Sequence, residues 1–246
     1  MKAAVYSGTR NLYPDMVTAA KSLLHNGGAD KIFFLIEDDH FPEWLPPHIE
    51  TMNVSGQAFF PKNGANFKTS FTYMSLLRAC YTKLFPDLDR VLQLDVDTIV
   101  VDNLDELWNL NMNGKWFAAV EEHHSTYKPY GPVYFNIGVA MFNLDQIRMD
   151  KADEACIRFL NTVKVPYIDQ DAWNRYGVSK AIKLPVRYNE TIVTGYTEDP
   201  AVVHFAGFKN WQNNVRAPRR EYLKRYREMS WEEVLNGKNT DRSTDI

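Results

Sequence analysis

Asp95 and Asp97 stand one residue apart at the end of the apolar run Arg90-Val91-Leu92-Gln93-Leu94. In an extended chain residues i and i+2 face the same side, so the two carboxylates converge and Val96 turns back toward the core. Convergent carboxylates beyond the carboxyl end of a buried strand make a hard oxygen site, suited to Mg2+ or Mn2+ carrying a diphosphate. The pair alone reads equally as a solvated loop. His204 closes another apolar run, Ala201-Val202-Val203, and by itself it reads as a core histidine with its hydrogen bonds satisfied. Arg78 flanks an apolar helical stripe, where a guanidinium serves either a phosphate or a structural ion pair. Asn136, Asp169 and Gln170 carry amides and a carboxylate, which suit sugar hydroxyls because these both donate and accept. Asp169 could instead cap a helix, and Asn136 could sit in a turn. Glu121-Glu122-His123-His124 looks like a metal cluster, but neighbours on an extended segment face opposite ways. It reads as loop, with Glu122 reaching an acceptor or donor pocket.

The elements that must position these groups alternate. Strands are expected at Ala3 to Tyr6, Lys31 to Ile36, Arg90 to Leu94, Trp116 to Val120, Asn136 to Phe142 and Ala201 to His204. Met16, Ala19, Ala20, Leu23 and Leu24 follow the spacing of a one-sided helix over 15–26, capped by Asp15 and stopped by Gly27-Gly28. Tyr73, Leu77, Cys80 and Leu84 predict a second helix from Ser70 to Pro86, and the segment from Phe41 to Ala65 shows no period. The alternation predicts an α/β chain with a mostly parallel central sheet flanked by helices, whose ligands bind outside the carboxyl ends of the strands. The chemistry is therefore expected just after each apolar run. Ser7-Gly8-Thr9-Arg10-Asn11, after the first run, sits where a first turn would receive a nucleoside.

Four stretches occur in the order of one known family. Asp95-Val96-Asp97 after Leu92-Gln93-Leu94, Asn136-Ile137-Gly138-Val139 after Tyr134-Phe135, Asp169-Gln170-Asp171, and His204-Phe205-Ala206-Gly207 with Lys209 and Trp211 together resemble glycosyltransferase family 8. The resemblance implies a GT-A, Rossmann-like fold. It also implies a retaining transferase that moves galactose or glucose from a UDP-sugar to a saccharide or glycoconjugate acceptor, glycolipids included. It assigns Mn2+, with Mg2+ as the substitute, to Asp95, Asp97 and His204. Donor contacts fall to Ser7, Thr9, Asn11, Arg78, Asp95, Val96, Asn136, Gly207 and Lys209, and the reacting face of the sugar to Gln170 and Asp169. Two departures stand out: Thr9 occupies the place of the family's usual Asp, and the interval from Gly207 to Lys209 is one residue short.

Composition bounds the alternatives. The chain has 246 residues, a formal net charge of -3 and 45% hydrophobic residues, which excludes broad disorder and gives no basic footprint for nucleic acid. Cys80 and Cys156 are too few for a disulfide framework or a cysteine zinc site. No apolar run approaches the roughly 18 residues that cross a bilayer, and the amino terminus reads as a strand and not as a signal peptide, so the expected location is the cytoplasm. Residues 1–215 are expected as one catalytic domain, with a nucleotide-binding half over 1–100 and an acceptor and metal-completing half over 101–215. A basic amphipathic helix is expected over 216–235 and a frayed tail over 236–246. Basic residues with Tyr222, Leu223 and Tyr226 over 216–228 suggest weak attachment at the inner face of an anionic membrane, against a helix simply packed on the domain. Two rival functions remain, a non-catalytic nucleotide-sugar or glycan binder and a haloacid-dehalogenase-like phosphatase.

Overall fold

The computed structural model describes residues 1–206 and 219–237. The strands are β1 (Ala3–Ser7), β2 (Lys31–Ile36), β3 (Ile49–Asn53), β4 (Arg90–Leu94), β5 (Thr98–Val100), β6 (Phe117–Glu121), β7 (Phe135–Asn143), β8 (Ala181–Leu184) and β9 (Val202–His204). Seven associate in the order β3-β2-β1-β4-β7-β6-β8, while β5 and β9 form a separate two-stranded sheet. Within the large sheet β7 alone is reversed: it pairs antiparallel with β4 and β6, and every other pairing is parallel. β1 is buried along its whole length, as a strand covered on both faces must be.

The covering helices are α1 (Tyr13–Ser22), α2 (Tyr81–Leu84), α3 (Asp105–Trp108), α4 (Leu144–Asp150), α5 (Ala152–Thr162), α6 (Ile168–Gly177), α7 (Arg220–Glu228) and α8 (Trp231–Gly237). On one face Val5, Val91, Phe117 and Phe142 pack with Leu77, Cys156 and Trp173. On the other, Ala4, Tyr6, Phe34 and Leu92 meet Met16, Ala20 and Leu23. The sheet crosses residue 100 without a break, so the two expected halves share both cores.

Several expectations need correction. α1 begins at Tyr13, and Asp15 lies in its first turn and not at the cap. Pro14, with its preset φ, starts the helix earlier, and Asp15 there suits the positive end of the helix dipole. The expected stop does occur, through a π-helical turn Leu23–Gly27 and a left-handed Gly28 at φ 67. From Tyr73 to Cys80 the chain is a 3-10 helix, and only Tyr81–Leu84 is α. With three residues per turn Met74, Leu77 and Cys80 fall in line, and all three are fully buried. The aperiodic stretch 41–65 hides β3, a short strand beside β2. β5 and β8 are likewise strands beyond those expected.

The expected helix over 216–235 is two. α7 ends before Met229, and α8 starts after Ser230, whose Oγ accepts from the Glu233 N–H at 3.2 Å while Glu233 Oε2 accepts from the Ser230 N–H at 2.7 Å. That reciprocal capping box starts a new helix. α8 takes in Asn236 and Gly237 of the expected tail; residues 207–218 and 238–246 lie outside the described part. The apolar face of α7 is turned inward, with Leu223 and Tyr226 packed on Ile99, Val203 and Phe205 of the small sheet and its flank. No helix among the described residues is long and apolar enough to cross a membrane. Because Leu223 is 2% exposed, Leu223→Ala should lower stability to urea by about 2–4 kcal/mol, as core truncations do. A change under about 0.5 kcal/mol, typical of surface sites, would mean that α7 does not dock on the domain.

Candidate functional site

The site lies at the edge of the large sheet where β1, β4 and β6 end. Because β7 runs the other way, its beginning meets that same edge: Leu94 pairs with Val139, and Val120 with Asn136. Of the candidate residues, Asp95 and Glu122 follow β4 and β6 and His204 closes β9, whereas β7 contributes its first residues, Asn136 and Gly138. The small sheet adds the rest. Thr98 pairs with His204, and the Asp97 carbonyl accepts from the Phe205 N–H at 2.9 Å.

The three expected metal ligands come together. One ligand atom each from Asp95, Asp97 and His204 lie within 4.8 Å of one another. His204 Nε2 faces Asp97 Oδ1 at 3.2 Å and Asp95 Oδ2 at 3.5 Å, and its Nδ1 meets Asn189 Oδ1 at 2.9 Å. Two carboxylates and one imidazole form a donor set for a divalent cation. The backbone makes room for two of these side chains at Gly138, where an added Cβ would lie 2.3 Å from His204 Cε1 and 2.7 Å from Asp95 Oδ2. The residues thus fit a bound cation, and the cradle has no space for a side chain. Glu121-Glu122-His123-His124 forms no such group among the described residues.

Arg78 is the buried cation of the site, bonded to Asp95 and, at 3.2 Å, to Asp169 Oδ2. These contacts are the structural ion pairs of the second reading, and one of them holds a carboxylate of the candidate cation site. Burial pushes the Asp95 carboxyl up despite Arg78 and His204. Asp97 is also desolvated, but the His204 imidazole outweighs that and holds it below the usual range. Burial works against a charged His204, yet Asp97 and Asp95 prevail and raise its pKa. Asp169, 2% exposed, is pushed up to about 6 by burial, with Arg78 opposing.

The Asp169-Gln170-Asp171 run divides three ways. Asp169 turns inward to Arg78. Gln170 Oε1 accepts from the Ile137 N–H at 3.1 Å and its Nε2 donates to Glu122 Oε1 at 3.1 Å. Asp171 accepts from the Tyr134 and Tyr127 hydroxyls at 2.8 and 3.2 Å, which makes it an anchor for the neighbouring loop. Ile168, immediately before, has φ 32, an uncommon and strained conformation for a β-branched residue. Glu122 also accepts from Asn136 Nδ2 at 2.8 Å, so it joins the two amides expected near the sugar.

At the amino-terminal turn Thr9 Oγ1 donates to Asn11 Oδ1 at 2.7 Å, and Ser7 ends β1 beside β4. Val96 packs partly against the core, as expected. Gly207 and Lys209 lie outside the described residues. Asn189 carried no chemical signal in the sequence, where it stands in a glycosylation sequon; only its contacts place it beside His204, and it is fully buried.

Asp169 sets a testable pH dependence. Its folded pKa of about 6 stands above the ordinary 3.8, so its contribution to stability is complete below about pH 3.8 and is lost as pH rises through about 6. A rise of about two units corresponds to about 3 kcal/mol. In chelator, the stability of Asp169→Asn relative to the original chain should therefore improve by up to that amount between pH 4 and pH 7. A difference that stays flat would show that Asp169 ionises as an exposed carboxylate does, and one that runs the other way that Arg78 outweighs burial.

The pattern that defines glycosyl transferase family 8 matches residues 5–215. A Haemophilus influenzae protein named as a glycosyltransferase is 28% identical over 140 residues, covering 51% of this chain and 42% of its own. Glycosyltransferase GlyA of Streptococcus pneumoniae is 24% identical over 95% of this chain and 36% of its own length. The chain thus spans well under half of either relative. Among solved structures, galactosyltransferase LgtC in complex with donor and acceptor sugar analogs superposes with a TM-score of 0.70 at 22% identity, covering 96% of this chain and 99% of that one. That likeness identifies the backbone as the GT-A fold. With the pattern matched over most of its length and the fold in agreement, the chain belongs to glycosyltransferase family 8.

Proposed function

We propose that this chain transfers a hexose, glucose or galactose, from a UDP-sugar to a saccharide or glycoconjugate acceptor with retention of configuration. The observation that carries this reading is the convergence of Asp95, Asp97 and His204 within 4.8 Å at the strand edge, with Gln170 nearby and tied to the same sheet. Those three residues would hold Mn2+, since one imidazole among oxygens favours it over Mg2+, and the ion would neutralise charge on the departing diphosphate. Arg78, Asn136 and Val96 stand beside that site, and Ser7, Thr9 and Asn11 at the first turn are assigned to the nucleoside. Gly207 and Lys209 are assigned to the diphosphate. Glu122 is assigned to the sugar pocket, where its carboxylate holds the amides of Asn136 and Gln170.

Gln170 is assigned to the face of the sugar where a double displacement would need a nucleophile. Its amide is a poor one, and its two hydrogen bonds fix it in place. Retention through a glycosyl-enzyme relies on two close carboxylates; the reading favoured here is same-face attack, with the acceptor hydroxyl entering beside the leaving diphosphate and passing its proton to that oxygen. Gln170 then stabilises positive charge developing on the sugar ring with an oriented dipole. Asp169 contributes through Arg78, which it holds.

Two experiments test the reading. UDP at about a hundred times its Kd should stabilise the protein by about 2.7 kcal/mol, and only with Mn2+ present; Asp97→Ala should fold normally and lose that metal-dependent rise in melting temperature. Equal shifts with and without metal would remove the diphosphate site. For the reaction, proton NMR of the first product from an α-linked UDP-hexose should show an α anomer, and Gln170→Ala should reduce turnover by about 100-fold, the scale of a lost charge-stabilising dipole, while still binding UDP. A β product would overturn the mechanism, and UDP binding without any transfer would favour the sugar-binding alternative.

A further inference from the structure

His204 is oriented from behind by a chain of side-chain amides that begins at a backbone group of unambiguous polarity. The Gly138 N–H can only donate, and it donates to Asn136 Oδ1 at 3.0 Å. That fixes the other end of the Asn136 amide, whose Nδ2 donates to Glu122 Oε1 at 2.8 Å. Asn189 must then present its own NH2 to Asn136 Oδ1, which it does at 2.8 Å. Its remaining atom, Oδ1, is left facing His204 Nδ1 at 2.9 Å. A carbonyl oxygen only accepts, so Nδ1 carries a proton and Nε2 is the nitrogen directed at Asp95 and Asp97.

Asn189 is itself held rigidly. It is fully buried, its N–H donates to the Val186 carbonyl at 2.9 Å, and its carbonyl accepts from the Thr194 hydroxyl. The same Glu122 oxygen that receives Asn136 also receives Gln170 Nε2 at 3.1 Å. The relay therefore runs unbroken from the metal-facing imidazole to the amide assigned to the reacting sugar.

We propose that Asn189 is the positioning residue of the metal centre: its side-chain carbonyl fixes the His204 ring so that Nε2 completes the site with Asp95 and Asp97, and its amide ties that orientation through Asn136 to Glu122 and Gln170. The proposal rests on the reading of Asp95, Asp97 and His204 as metal ligands. Groups that orient a ligating histidine typically contribute about 10- to 100-fold in metal affinity.

The test is the dissociation constant for Mn2+ alone, read from the EPR signal of the free ion, with melting temperature in chelator measured alongside. Asn189→Leu removes the acceptor and should weaken Mn2+ binding by about 10- to 100-fold. Asn189→Asp keeps an oxygen facing Nδ1 but loses the donor to Asn136 Oδ1, so it should weaken Mn2+ binding less than Leu does. A Leu variant that folds and binds Mn2+ as the original does, or an Asp variant that loses as much as Leu, overturns the proposal. Should the Leu variant not fold, the original chain loaded with Zn2+ as a diamagnetic probe decides. Long-range proton-nitrogen spectra should show His204 ligated through Nε2 with a slowly exchanging Nδ1 proton, whereas ligation through Nδ1 overturns the proposal. Failure of the original chain to bind Mn2+ at all would remove the metal reading itself, and this proposal with it.

Discussion

The buried guanidinium of Arg78 is the contact on which the site depends. Asp95, Asp97 and Asp169 lie at one strand edge, and carboxylates this close raise one another's pKa and resist joint ionisation in a poorly hydrated setting. Arg78, itself 9% exposed, bonds to two of them, and His204 faces the two that lie toward the cation site. Removing one partner of such a buried set leaves uncompensated charge, which costs more than the pair contributes. Local backbone around the cluster is correspondingly unusual. A 3-10 coil delivers Arg78, and a positive φ at Ile168 delivers Asp169. Neither is what propensity would choose, and both serve the same ion pairs.

The reversed strand explains how so many elements reach one place. In a purely parallel sheet the strand starts lie on the far side, and only the following loops would meet. β7 brings its first residues to the edge where β4 and β6 finish, so Asn136 and Gly138 approach Asp95 through backbone pairing and not through a long loop. The link is direct, because the Asp95 N–H donates to the Gly138 carbonyl at 2.7 Å. Backbone pairing is stiffer than a loop, and stiffness is what a site needs when its ligands must hold a fixed geometry.

What the sequence revealed follows from the range of each signal. Short apolar runs and the two-residue repeat of an extended chain are local signals, so the strands leading to Asp95 and His204 and the convergence of Asp95 with Asp97 were legible. The helix expected at 70–86 was misread because its apolar residues fit 3.6 and 3.0 residues per turn almost equally over so short a span. β3 and β8 are short edge strands with little apolar alternation, and pairing with a neighbour, invisible in the sequence, makes them strands. The break between α7 and α8 was signalled by Ser230-Trp231-Glu232-Glu233, a capping box that a charge count over the segment conceals. Asn189 was out of reach by composition or spacing, since its role comes from contacts to residues 53 and 15 positions away. The ordering of motifs pointed to the candidate ligands, while packing alone showed which groups hold them.

Gly138 offers a different use for this geometry. It carries no functional group, yet an added methyl there would overlap the His204 imidazole and the Asp95 carboxylate. The carboxylates and the histidine could each persist in a protein that has abandoned catalysis, since all of them also make internal ion pairs and hydrogen bonds. The space that a side chain would take at 138 is filled by those same groups. Any chain that keeps the imidazole and that carboxylate in this arrangement must therefore keep glycine at 138, and a larger residue there reports that the cradle itself has been rebuilt.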